Sequence, residues 1–179
     1  LVTGGAGFIG SCLVRRLLNT SKAKVFNIDK LSYASDLSSI QRSTNSEKHF
    51  HMQVNLNDYE KTFSAVKEAD PDIIFHLAAE SQVDRSLENS KPFLESNIIG
   101  TFNILESTRK HLENINLSRR ERFKFLHIST DEVFGSLGLE GKFSEKTAYD
   151  PRSPYSATKA ASDHICNAWF HTYNLPIIR

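Results

Sequence analysis

The sequence predicts an α/β protein of the Rossmann type: a doubly wound parallel sheet with helices on both faces. Three observations predict it. Apolar runs of strand length alternate with segments of helical period, the pattern of βαβ units. A glycine turn, "GGAGFIG" at 4–10, follows the first strand, and an acid, Asp29, closes the second. A chain of 179 residues, 39% hydrophobic and 24% charged, fits one domain, 1–179, around one core.

The elements follow in order. "LVT" is a short first strand, and the next helix carries Ile9, Leu13 and Leu17 at i, i+4 and i+8, with Val14 and Leu18 widening the stripe. "KVFNID" (24–29) and "HFHMQV" (49–54) read as strands two and three. Asp58 then caps a helix whose Tyr59, Phe63 and Val66 share a face. "DIIFHLA" (72–78) is strand four, and a long helix over 90–113 places Phe93, Ile98, Phe102 and Leu105 on its apolar side. "FKFLHIS" (123–129) is strand five, followed by an irregular stretch, 130–153, long enough to expect a function. Ser153 is an N-cap and Pro154 the first residue of a helix running to about Tyr173. "LPIIR" then begins a further strand, and with no initiator Met the chain reads as cut at both ends, before its last strands.

Charge and cysteine content narrow the partners. Lys and Arg number 22 against 21 Asp and Glu, so nothing draws the chain globally to nucleic acid or an anionic membrane. Arg119, Arg120, Arg122 and Lys124 read as a solvated connector. Cys12 and Cys166, with no CxxC, suit a reducing compartment. No stretch approaches the about 18 apolar residues of a membrane span, and glycines interrupt the N-terminal segment where a signal peptide is continuous. A cytoplasmic protein is expected. His76 and His127 lie within strands as core residues, His49 and His51 lack acidic or cysteine partners at ligand spacing, and no metal site is expected.

Gly4, Gly7 and Gly10 form a GxxGxxG turn. One glycine permits the turn, the next lets backbone N–H groups approach a pyrophosphate, and the last lets helix and sheet pack closely. The same glycines could serve the turn alone. Asp29, 22 residues after Gly7, is placed to accept hydrogen bonds from an adenosine ribose and to repel a 2′-phosphate, which favours NAD; Lys30 behind it keeps NADP as the alternative. Tyr155 and Lys159 in "YSATK" share a helix face. A nearby ammonium lowers a phenol from its ordinary pKa of about 10 and makes it a base toward an alcohol. "STDEVFG" (129–135) sets Thr130, Asp131 and Glu132 at the end of strand five. Neighbouring residues of a strand face opposite ways, so both acids serve one substrate only if the chain leaves the strand at Thr130, which Gly135 and Gly138 permit.

The combination resembles the extended short-chain dehydrogenase/reductase family over the whole chain. Within it, "LVTGGAGFIGS", "NIDKLSYA", "LAAESQVDRS", "SNIIGT", "STDEVFG" and "SPYSATKAASDH" resemble the dTDP-glucose 4,6-dehydratases. The Asp-Glu pair is the discriminating element, since related epimerases generally lack it. The resemblance implies tightly bound NAD held by Gly4, Gly7, Phe8, Ile9, Gly10, Asp29, Lys30, Leu31, Ser32, Asn55, Leu56, Leu77, Ala78, Ala79, Glu80, Ser81 and Ser96, with Tyr155 and Lys159 at the nicotinamide end. It implies a nucleotide-sugar substrate contacted by Ser81 and Thr130. Tyr155 would deprotonate the 4-hydroxyl, Lys159 would tune it, Thr130 would bind the same oxygen, Glu132 would take the carbon 5 proton and Asp131 would protonate the departing 6-hydroxyl. It also implies a smaller C-terminal substrate domain outside this stretch, and a homodimer through helices 90–113 and 154–173. Asn55, Gln82 and Phe134 stand where Asp, His and Tyr are commoner. Two other readings remain: a nucleotide-sugar epimerase or decarboxylase, and a non-enzymatic NAD-sensing regulator, against which the Tyr-Lys pair speaks.

Overall fold

A computed structural model describes residues 1–41 and 46–179. Strands β1 (Val2–Thr3), β2 (Val25–Asp29), β3 (His49–Gln53), β4 (Ile73–His76), β5 (Lys124–His127) and β6 (Ile177–Ile178) pair in parallel in the order β3-β2-β1-β4-β5-β6. The order reverses direction between β1 and β4, and their C-terminal ends form the crevice where ligands bind in such sheets. The helices are α1 (Phe8–Thr20), α2 (Ser38–Gln41), α3 (Tyr59–Ala69), α4 (Val83–Glu88), α5 (Lys91–Phe93), α6 (Gly100–Glu113), α7 (Leu117–Arg122) and α8 (Pro154–Tyr173), with a π-helical stretch, Leu94–Ile99, joining α5 to α6. This is the expected Rossmann architecture. No helix among the described residues is long and apolar enough to cross a membrane.

Both sheet faces are covered because both present apolar side chains. Val2, Val14, Val25 and Ile40 are buried between α1, α2 and the sheet. Ile28, Leu56 and Ala65 lie beneath α3. Ile74, Ile104, Leu105, Phe123, Phe125 and Cys166 form the core shared with α6 and α8.

Three local expectations differ from the structure. Ile9 is 65% exposed, because it lies in the first turn of α1 against an open cleft, and Val14 carries the buried face instead. On α3 the inward face is Thr62, Ala65, Val66 and Ala69; Thr62 is buried without loss because its hydroxyl donates to Asp58 O at 2.8 Å. The stripe expected over 90–113 splits: Phe93 and Leu105 are buried while Phe102 is 39% exposed. At the 3.6-residue period of a helix Phe102 falls opposite Phe93, and the buried row is Phe93, Asn97, Gly100, Thr101 and Ile104, at i, i+4, i+7, i+8 and i+11. The basic run 119–122 lies in α7, which buries no residue and links α6 to β5 as the solvated connector expected; Arg119 donates to Asp70 Oδ2 and Asp72 Oδ1, each at 2.9 Å.

Candidate active site

A cleft of about 370 Å³ runs along the C-terminal ends of the strands across the switch point. Its floor is the glycine turn, with Gly4, Gly7, Phe8, Ile9 and Gly10 on its wall. The three glycines do different work. Gly4 has φ 70° and a Cβ there would lie 2.7 Å from Ala78 N; at Gly10 it would lie 2.1 Å from Gly4 O. Packing therefore demands both. Gly7 has an extended backbone, φ −76° and ψ 176°, and its nearest obstacle to a Cβ is 3.4 Å away. Nothing in the fold requires Gly7 to lack a side chain, yet it lines the cleft at the start of α1, where no side chain caps the free N–H groups. That is the cradle a pyrophosphate fits.

Strand β2 delivers Asp29 to one end of the cleft. Its Oδ2 accepts from Ala6 N at 3.0 Å, and its Oδ1 accepts from Leu31 N at 2.8 Å and Ser35 Oγ at 2.9 Å. A carboxylate accepts about four hydrogen bonds, so a lone pair remains for a ribose hydroxyl. Lys30, also on the cleft, donates to Glu80 Oε1 at 2.7 Å and Ser96 Oγ at 3.0 Å, so its charge is paired within the protein. Ser32, Asn55, Leu56, Leu77, Ala78, Ala79, Ser81 and Ser96 line the same cleft. Two expected residues do not. Leu31 takes a left-handed backbone, φ 59°, and turns its amide to Asp29, while Glu80 is buried against Lys30. Asn55 Oδ1 accepts from Asn57 N at 3.1 Å, which leaves one lone pair for a ligand. Gln82 is exposed at the start of α4.

At the other end, strand β5 stops at His127 and the chain leaves the sheet before the acids. Thr130 caps a single 3₁₀ turn, Asp131–Phe134, its hydroxyl accepting from Glu132 N at 3.3 Å. Gly135, φ 88°, ends the turn; Gly138 takes no part in it. A turn fans neighbouring side chains at about 120°, so the two acids are not forced to opposite faces. Both are exposed, and both bear electrostatically on Tyr155.

Tyr155 and Lys159 face the cleft from the first turns of α8. The helix starts where it does because Ser153 and Ser156 form a reciprocal capping box around Pro154. Burial raises the Tyr155 phenol, the Thr130 hydroxyl lowers it, and Glu132 and Asp131 raise it further; the net position is above the ordinary value. The phenol is not lowered as expected, and Lys159 is not among the groups that shift it. The Lys159 ammonium is buried and donates to Ile128 O at 2.6 Å. Burial lowers its own pKa.

Asn97 is a site residue that sequence reasoning missed. Buried in the π-helical stretch, it accepts from Glu80 N at 2.8 Å and donates to Glu80 O at 3.0 Å and Thr158 Oγ1 at 2.9 Å. It ties the loop after β4 to α8. An amide on the inward face of a helix was the available signal. Among the described residues no group of three or more His, Cys, Asp or Glu is placed to hold a metal.

The profile of the family described as GDP-mannose 4,6 dehydratase matches residues 1–179. The chain belongs to that family. Within it, a probable dTDP-glucose 4,6-dehydratase of Sinorhizobium fredii is 48% identical over 178 residues, 99% of this chain and 51% of that protein. The crystal structure of DesIV, a dTDP-glucose 4,6-dehydratase of Streptomyces venezuelae solved with NAD bound, superposes with a TM-score of 0.87 at 33% identity, covering 98% of this chain and 52% of that one. A Thermus thermophilus UDP-glucose 4-epimerase solved with NAD superposes at 0.82 with 29% identity, over 98% and 52% of the two chains. The chain thus spans about half the length of the relatives it matches.

Proposed function

We propose that the full-length protein is an NAD-dependent dTDP-glucose 4,6-dehydratase, a cytoplasmic hydro-lyase, and that residues 1–179 are its dinucleotide-binding domain with the catalytic groups. One observation carries the choice: Thr130, Asp131 and Glu132 share a 3₁₀ turn beside Tyr155 at the end of a cleft built for a dinucleotide. The neighbouring relatives named as dTDP-glucose 4,6-dehydratases support the substrate.

When bound, NAD would accept the hydride of carbon 4 and return it at carbon 6, so that the sugar would lose only water. The pyrophosphate would lie over Gly7, the adenosine ribose on Asp29, and the nicotinamide end between Tyr155 and Lys159. Tyr155 takes the 4-hydroxyl proton while Thr130 binds that oxygen. The 4-ketone acidifies carbon 5, Glu132 removes its proton, and Asp131 protonates the 6-hydroxyl as it leaves. An epimerase reading uses the same fold and the same Tyr-Lys pair, but gives the two acids nothing to do. Incubating the full-length protein with dTDP-glucose should yield the 4-keto-6-deoxy sugar; a carbon 4 epimer as the sole product would contradict the assignment.

Gly7→Val tests the cofactor site. Extended backbone suits a β-branched residue, so the fold should persist by circular dichroism. NAD affinity by calorimetry should fall about tenfold or more as the side chain fills the pyrophosphate cradle. Unchanged affinity would remove the site.

A homodimer is also proposed. Leu94, Ile99 and Phe102, together with Phe170 and Tyr173 of α8, leave apolar surface exposed on the side away from the sheet, and Phe102 meets Trp169 edge-on at 5.7 Å. Light scattering at micromolar concentration should give twice the monomer mass; a monomer would overturn this.

A further inference from the structure

Asp163 is 1% exposed beneath the active site. It sits at i+4 from Lys159 and i+8 from Tyr155, on the same face of α8. A buried carboxylate is costly unless donors surround it, and this one gathers donors from distant segments. Its Oδ2 accepts from Ser129 Oγ at 2.6 Å and from the Tyr149 hydroxyl at 2.8 Å, while Oδ1 lies 3.0 Å from His127 Nε2. Burial pushes the carboxyl up, and His127, Ser129 and Tyr149 together pull it below its ordinary value. It is a carboxylate at neutral pH.

Two of those donors, Ser129 and Tyr149, flank the acid turn in space. Ser129 directly precedes Thr130. At the exit, the Tyr149 ring meets Phe134 edge-on at 5.3 Å, and Asp150 N donates to Val133 O at 2.9 Å. The residue that enters the 130–134 turn and the tyrosine packed against its exit therefore converge on one oxygen atom, carried by the helix that also carries Tyr155 and Lys159. We propose that Asp163 is a positioning residue: it references the Thr130–Glu132 turn to α8, so that the eliminating acids and the oxidising base share one geometry. The role assigned to the acids rests on the dehydratase reading; the tethering does not.

The test uses the full-length protein with Tyr149→Phe, Asp163→Ala and Asp163→Asn, none of which lines the cleft. Two readouts are needed: amide hydrogen exchange over 129–135, and single-turnover kinetics that separate reduced-nicotinamide formation from deuterium entry at carbon 5. Losing one buried hydrogen bond in Tyr149→Phe should speed exchange in that segment about fivefold and slow elimination by a similar factor, with oxidation within about twofold of the parent. Asp163→Ala should do both by tenfold or more, as about two such bonds are lost. Asp163→Asn retains an acceptor for both hydroxyls and should recover most of each. Unchanged exchange in Tyr149→Phe overturns the proposal even if Asp163→Ala fails to fold, and so does an equal fall in both half-reactions. If the parent forms no 4-keto-6-deoxy sugar, the dehydratase reading fails and the exchange readout alone decides the tether.

Discussion

Tyr155→Phe in the full-length protein is expected to suppress oxidation and elimination together, lowering turnover by about 10²–10⁴-fold, the usual contribution of a general base. No ketone forms, so carbon 5 never becomes acidic. Lys159 offers no substitute, since its ammonium is held on Ile128 O at 2.6 Å. The substitution keeps the ring that meets Phe93 edge-on at 6.4 Å, so the melting temperature and NAD content should stay near the parent values. Because burial and the two acids hold the phenol above its ordinary pKa, the parent is protonated at Tyr155 at neutral pH. Its oxidation rate should rise as pH increases, and the variant should lose that rising limb. Rapid-mixing absorbance of reduced nicotinamide measures both, and a variant that oxidises at the parent rate would remove Tyr155 from the chemistry.

The acid pair should behave in the opposite way. Asp131→Asn keeps the shape of the side chain but donates no carboxylic proton, so it should oxidise the sugar and stall with reduced nicotinamide and the 4-keto sugar bound. Glu132→Gln should also oxidise, with loss of the carbon 5 proton slowed by about 10²–10⁴-fold. Both side chains are exposed, so neither variant costs the fold a buried contact, and a stall in either reports chemistry.

How much of this was legible in the sequence depends on how local the cause is. The glycine turn was readable because Gly4 and Gly10 answer to close backbone approaches within one strand-turn-helix unit, and the start of α8 because Ser153, Pro154 and Ser156 cap their own helix. The place of Asp29 on the cleft was readable because it closes the apolar run of β2. The face of the long helix was misread because its inward row, Phe93, Asn97, Thr101 and Ile104, is half polar, while the apolar Ile98 and Phe102 do not share a helical face with Phe93. The partner of Lys159 was misread for a different reason. Helical spacing brings Lys159 near Tyr155, but that its ammonium donates to the Ile128 carbonyl depends on where β5 ends. Asp163 could not be found at all, because its partners Ser129 and Tyr149 lie 34 and 14 residues away, and only the fold assembles them.

The claim at the centre is that the turn after β5 carries the elimination. The direct measurement is entry of solvent deuterium at carbon 5 of dTDP-glucose in a single turnover of the full-length parent and of Glu132→Gln, with reduced nicotinamide followed in parallel. The parent should incorporate deuterium as it forms the 4-keto-6-deoxy sugar, and Glu132→Gln should reduce the nicotinamide while incorporating deuterium about 10²–10⁴-fold more slowly. Deuterium entry at the parent rate in Glu132→Gln would contradict the assignment of Glu132 as the carbon 5 base, and with it the reading of Thr130, Asp131 and Glu132 as the eliminating turn.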